Sequence, residues 1–327
     1  MVSMTRFRPT SLARCKDGSV VLITEKTAPS AARAIDLFQV IGERNSGTTW
    51  LHKLVADNVA PDMLQPTYLN QWKHATITAA QVAASSFAHR TIFIVCVKSP
   101  LAWAVSMYSN PFHSTTPKDQ HRQHNFSAFL ARPWETKHTI LYKHHHVDDD
   151  HDPGSRGKVD GGGGGGGGGL RSGGGSGDGG AGEASETDSP EEIHEWYQSL
   201  AALRADKLSN HLNLSLLVPR VHVVRYEDVL ASPAATVEAI LTAHGIPPAR
   251  GTFVVSTTNF VASGSAGSTT KQFDRHAWYI KQHFLRAFDR AAYDAYVPLL
   301  DVAIEARAGY GVPSWAETEA AVVAGRR

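Results

Sequence analysis

Phe38-Gln-Val-Ile-Gly-Glu-Arg-Asn-Ser-Gly-Thr-Thr-Trp50 decides how this chain folds. An apolar run ends at Gly42, a polar turn follows through Gly47, and an amphipathic stretch with Leu51, Leu54 and Val55 begins at once. That order predicts a strand, a tight loop and a helix. Such a loop turns backbone N–H groups around one centre, and the helix behind it adds the positive end of its dipole, so the pair suits a phosphate. Gly42 and Gly47 have the spacing of the two glycines in a P-loop, but Thr48 stands where that motif has its lysine. Without the lysine the loop is poorly equipped to clamp a nucleoside triphosphate.

Thr91-Ile-Phe-Ile-Val-Cys-Val97 is a continuous β-branched and apolar run, the pattern of a strand buried on both faces. It breaks into Lys98-Ser-Pro100, where Ser99 suits an N-cap and Pro100 a first helical position. Ser106 then falls about two turns into the predicted helix. A cation at a strand end and a hydroxyl on the next helix can face the same sheet edge, where open α/β sheets bind ligands.

These segments resemble the sulfotransferase family, which moves a sulfuryl group from 3′-phosphoadenosine 5′-phosphosulfate to an acceptor hydroxyl or amine. Ser46-Gly-Thr-Thr-Trp50 matches the family's first motif, and Lys98, Pro100 and Ser106 match its second. The resemblance covers about Ile35 to Tyr108 and, more weakly, Val221 to Tyr310, and the loop with Gly42-Glu-Arg-Asn-Ser-Gly-Thr48 resembles a less familiar branch. It implies that Arg44, Asn45, Ser46, Gly47, Thr48 and Thr49 receive the 5′-phosphosulfate end, and that Lys98 and Ser106 grip the 3′-phosphate. A basic C-terminal loop in the family covers the same phosphate. Here Lys271, or Arg275, is the matching cation, with a solvated loop as the other reading.

Two positions depart from the family pattern. Asn45 replaces the usual lysine, which leaves Arg44, Lys53 or Lys73 to supply positive charge to the leaving oxygen. Lys98 replaces a more common arginine, losing the bidentate fork but keeping the charge. Trp72-Lys73-His74 resembles a feature of the same branch. His74 is the candidate general base, its intrinsic pKa suiting proton uptake near neutrality, with a surface histidine at a helix start as the bland alternative. Lys73 is a second candidate for the leaving group. The catalytic expectation is therefore His74, Arg44 and Lys73, with no metal.

The 327 residues are 42% hydrophobic, enough for one large α/β domain, and the net charge of +1 gives no global attraction for nucleic acid or anionic membrane. Two cysteines, Cys15 and Cys96, make no disulfide framework. No apolar run is long enough for a transmembrane helix. A chain that is cytoplasmic or organellar rather than secreted is the expectation. Arg6, Arg8 and Arg14, with no acid before Asp17, fit either a disordered start or an organelle transit peptide.

The middle of the chain is compositionally separate. His144 to His146, Asp148 to Asp150 and nine glycines from Gly161 to Gly169 lie in a stretch too poor in apolar residues to offset its ordering entropy. Residues 144–189 are read as a disordered insertion, whose histidines, with His138 and His151, chelate loosely at most, in the manner of an affinity tag. Pro190-Glu-Glu-Ile-His-Glu-Trp-Tyr197 reads as a helix start, with acids in its first turn. Val221 to Val224 forms a short core strand, and Arg225-Tyr-Glu-Asp228 resembles a family signature closing it. Glu227 and Asp228 either orient basic residues or cap and pair locally. Ser232 and Pro233 open a helix that Gly245 and Pro247 end, and Asp289 to Arg307 reads as one final helix with Tyr293, Tyr296, Leu299, Leu300 and Ile304 as core contacts.

The expected fold is α/β: a three-layer, P-loop-like domain with a mainly parallel central sheet. It would comprise residues 35–143 and 190–312, with a partly disordered segment at 1–34 and a tail at 313–327. The expected activity is sulfuryl transfer to a small-molecule or carbohydrate hydroxyl. Two alternatives stay open: a non-catalytic nucleotide-binding protein on a decayed sulfotransferase domain, and a P-loop kinase, which needs the absent lysine and a Mg²⁺-holding Asp.

Overall fold

The computed structural model describes residues 11–14, 20–25, 37–63, 69, 73–111, 124–139, 192–255 and 278–324. The expected insertion at 144–189, Trp72, Lys271 and Arg275 lie outside them. Strands β1 (Ser11–Arg14), β2 (Val20–Glu25), β3 (Leu37–Gly42), β4 (Thr91–Val97) and β7 (Arg220–Arg225) make one sheet in the order β1-β2-β7-β4-β3. The three strands read from the sequence, β3, β4 and β7, are neighbours in it and run parallel. β1 and β2, from the segment expected to be partly disordered, add two antiparallel pairings at the edge beyond β7. The sheet is therefore mixed, with a parallel trio, rather than mainly parallel.

The pleat of β4 explains why this trio is the centre. Ile92, Ile94 and Cys96 point to one face, where α1 (Thr48–Ala56) and α7 (Pro233–Ala243) cover them with Leu51, Leu54, Val55, Val237 and Ile240. Phe93, Val95 and Val97 point to the other, against Leu208 and Leu212 of α5 (Leu200–Asn213). Every residue of β4 is buried, as expected of a parallel strand with helices on both sides. Gly245, at φ 65, closes α7, and Ile246 N–H returns to Leu241 O at 2.9 Å.

A third cluster stands at the end of the sheet. Here α3 (Pro100–Ser109) and α4 (Phe126–Ala131) meet the start of α5 through Trp103, Phe129, Leu130 and Leu203, with Phe284, Phe288 and Tyr296 from the C-terminal region. Two short strands, β5 (Trp134–Thr139) and β6 (Glu192–Tyr197), pair antiparallel beside it.

Three expectations are corrected. Glu192–Tyr197 is strand β6, not a helix start, because alternate residues pair across to β5, and tertiary pairing overrides the acidic first-turn signal. The helix begins later, where the Ser199 hydroxyl accepts from Ala202 N–H at 3.1 Å. The single final helix is broken into α8 (Arg290–Tyr296), a 3₁₀ turn (Val297–Leu299) and α9 (Val302–Arg307). Pro298 has no N–H to continue the ladder, so the chain is recapped at Asp301, and Leu299 is left 52% exposed instead of in the core. The stretch expected as a tail carries α10 (Trp315–Ala324), which buries Thr318 and Val322.

Candidate functional site

The turn from β3 into α1 is held in shape by its own carbonyls. Ser46 N–H and Oγ both donate to Glu43 O, at 3.3 and 2.6 Å. Trp103 Nε1 donates to Arg44 O at 2.7 Å, and the Cys96 thiol to Ser46 O at 3.1 Å. Three carbonyls of the loop are thus engaged within the protein. Gly42 has φ 153 and Gly47 φ 99. A Cβ on Gly42 would run into Cys96 O, and one on Gly47 into the ring of Tyr226. Both positions therefore require glycine.

Gly47 is the N-cap of α1 and brings no side-chain acceptor, and the first turn of α1 holds no acid. The first N–H groups of a helix have no partner within it. Against this positive end lies another cation: Lys73 Nζ donates to Thr49 Oγ1 at 2.7 Å. A lysine at a helix N-terminus opposes the dipole, and an anion at the same place reverses the sign of the interaction. Burial pulls the Lys73 ammonium below its usual range.

At the end of the neighbouring strand, Lys98 is 3% exposed. Its Nζ lies 3.5 Å from Ser106 Oγ and 3.3 Å from Tyr279 OH, and 4.4 and 4.5 Å from the ring centres of Tyr226 and Tyr279. The pairing of Lys98 with Ser106 expected from the sequence is thus present, and two aromatic rings lie against the ammonium. Pro100 takes the first turn of α3, while Ser99 sits at its N-cap without a side-chain bond. Glu227 does the capping, accepting from Ser99 N–H at 3.1 Å and from Tyr310 OH at 2.7 Å. Asp228 pairs locally with Arg225 at 3.5 Å. Of the two readings for this signature, local pairing holds for Asp228, whereas Glu227 fixes the turn that carries Lys98.

Asn45, at φ 59, directs its amide to Asn110 O at 3.0 Å and Met107 Sδ at 3.2 Å. This side chain braces the loop against α3. Arg44 and His74 instead meet at a small cavity of about 20 Å³ lined also by Glu43, Trp103, Met107, Thr136, Leu203 and Lys207. His74 is a buried residue, not the surface histidine of the bland alternative. Its Nδ1 is 2.6 Å from Gly42 O, and a carbonyl only accepts, so the proton is on Nδ1 and the lone pair on Nε2. Burial holds His74 well below the usual histidine range. Burial also pulls the Arg44 guanidinium down to about 9, against the opposing pull of Glu195 and Tyr197.

Beneath the loop is an ionic cluster that the sequence did not reveal. Arg204, fully buried, forks Glu305 at 2.5 and 2.8 Å, donates to Glu43 Oε2 at 2.8 Å and caps Lys98 O at 2.8 Å. One guanidinium therefore ties the turn between β3 and α1 to the turn bearing Lys98. Arg204, Tyr279 and Glu305 stand far from the two motifs in the chain, and no spacing rule links them. No protein-family model, curated protein or solved structure matches the chain.

Proposed function

We propose that the protein is a sulfotransferase, moving a sulfuryl group from 3′-phosphoadenosine 5′-phosphosulfate to the hydroxyl of a carbohydrate or other metabolite, on a three-layer, P-loop-like domain. The observation that carries this reading is the accumulation of positive charge at two adjacent strand ends: Lys73 against the uncapped start of α1, and Lys98 beside Ser106. Such a pair of anion sites suits a donor with phosphate-type groups at both ends. The 5′-phosphosulfate lies at the loop and the 3′-phosphate at Lys98, Ser106 and Tyr279.

In the reaction the acceptor oxygen attacks sulfur in line, forming the new S–O bond as the bond from sulfur to the 5′-phosphate oxygen breaks. His74 Nε2 takes the acceptor proton. The negative charge gained by the bisphosphate is met by loop N–H groups, Lys73 and Arg44. Asn45 is a neutral amide and adds no charge here, and its side chain is engaged with Met107 Sδ and Asn110 O. That engagement favours the second reading, a binder that keeps the donor site and has lost turnover. The kinase reading gains nothing, because Thr48 still occupies the lysine position.

The test is sulfate transfer from labelled donor to pooled acceptors, with no added metal. Wild type should turn over, and His74→Ala should lose about 10²–10⁴ in rate while keeping donor affinity. A silent wild type that gains activity as Asn45→Lys would establish the binder instead.

A further inference from the structure

The ammonium at the end of β4 is covered. Lys98 is 3% exposed, and among the described residues no carboxylate pairs with it. A buried cation without an acid is costly to keep, and an anion relieves that cost. What meets it instead is a phenol. The Tyr279 oxygen stands 3.3 Å from Lys98 Nζ and 3.3 Å from Ser106 Oγ, which are themselves 3.5 Å apart. The three atoms close a triangle, and the phenol oxygen holds the corner from which an anion oxygen would accept from both. We propose that Tyr279 is a plug: its hydroxyl occupies the anion seat at Lys98 and Ser106, and a ligand phosphate enters by pushing it aside. Taken with the sulfotransferase reading, on which this identification rests, that phosphate is the donor's 3′-phosphate.

The bonds that hold the plug are weak ones. Ser106 Oγ donates to Ala102 O at 2.9 Å, so its proton is turned away from the seat and the phenol supplies the proton between the two hydroxyls. Lys98 donates to two neutral oxygens, at distances past the usual range for an N–H···O bond. A phosphate oxygen makes a shorter, charge-assisted bond to the same ammonium, and Ser106 can turn its proton to meet it. Two rings lie against the ammonium, Tyr226 at 4.4 Å and Tyr279 at 4.5 Å, packed edge to face with centres 4.9 Å apart. Tyr226 is 3% exposed and Tyr279 only half-buried, so Tyr279 is on the solvent side and is the ring that can leave. The turn that carries it is lightly held. Gln282 N–H reaches Tyr279 O at 3.3 Å, from a residue at φ 57, where side chains are rarely found. A closed seat lowers apparent affinity by the fraction of molecules that stand open.

The sign of one substitution separates a plug from a phosphate ligand. Adenosine 3′,5′-bisphosphate titrated calorimetrically into the full chain should bind Tyr279→Phe about 3–10-fold more tightly than wild type, since that variant loses hydrogen bonds from the closed state alone. Equal or weaker binding by Tyr279→Phe overturns the proposal, because a tyrosine that donates to the phosphate loses affinity with its hydroxyl. A second measurement needs no donor: limited acetylation by acetic anhydride, with Lys98 followed by mass spectrometry. Lys98 should react about tenfold or more faster in Tyr279→Ala than in wild type, and equal rates overturn the proposal. If Tyr279→Ala does not fold, Tyr279→Phe, which keeps the ring packing, takes its place and should exceed wild type by about threefold, with equality again the contrary result. Bisphosphate that binds neither protein sinks the donor assignment, and the acetylation rates then decide the plug by themselves.

Discussion

Lys98 and Ser106 were legible at the level of single residues because a proline fixed the start of their helix, and two turns of helix fixed the rest. Lys73 was legible only as a candidate, since its bond to Thr49 bridges 24 positions of sequence. Tyr279 reaches Lys98 across 181 positions, and nothing local announces it. The loop glycines give a direct stability test. Gly47→Ala must place its Cβ in the ring of Tyr226 at a φ of 99 that side chains avoid. It should lower unfolding free energy by about 1–3 kcal/mol, measured by urea denaturation. An unchanged midpoint would show that the loop relaxes freely. Burial leaves His74 neutral, and Nε2 is its only basic atom. His74→Gln should therefore lose turnover while bisphosphate affinity stays within about threefold, whereas a purely structural His74 would lower both together.

At the level of elements, β3, β4, β7 and α7 were read from the sequence, whereas β6 and the break at Pro298 were not. β4 announced itself by seven apolar or β-branched residues, and α7 by its proline, apolar face and glycine. β6 did not, because a six-residue strand is specified by what pairs with it, and β5 is distant in sequence. Likewise β2 owes its place to pairing with β7, and β1 to pairing with β2, rather than to their own pattern. The β5–β6 pairing carries a prediction. Thr139 lies opposite Glu192, so the two strand ends are neighbours that a short connection can join. Replacing Val147–Ser189 with a short Gly/Ser linker should preserve a cooperative thermal transition and bisphosphate binding, because loop length enters stability only logarithmically. Loss of the transition in that deletion would mean that the segment contributes to the core.

On the scale of the whole molecule, buried titratable groups set a pH window. His211 and His222 are each pushed down to about 4, first by burial, from an ordinary 6.5. The unfolded chain binds these two protons below 6.5 and the folded one does not, so their stability is present above 6.5 and lost as pH falls toward 4. Glu43 acts in the opposite sense: burial raises it from 4.5 to about 8, and its contribution is lost as pH rises through that range. Two histidines outweigh one carboxyl on the acid side, so Tm should peak near pH 6.5, and Glu43→Gln should flatten the decline above it. A Tm that keeps climbing to pH 8 in wild type would contradict this. Arg204 ties the two motif-bearing strand ends together, and in the proposed function they bind the donor as one surface. Calorimetric titration of adenosine 3′,5′-bisphosphate into wild type and Lys98→Ala, without metal, tests it most directly. Saturable one-to-one binding that weakens about tenfold or more in the variant is predicted, since a charge-assisted phosphate contact is worth roughly 1.5–3 kcal/mol. Absence of binding in wild type, or equal affinity in the two proteins, would contradict the account.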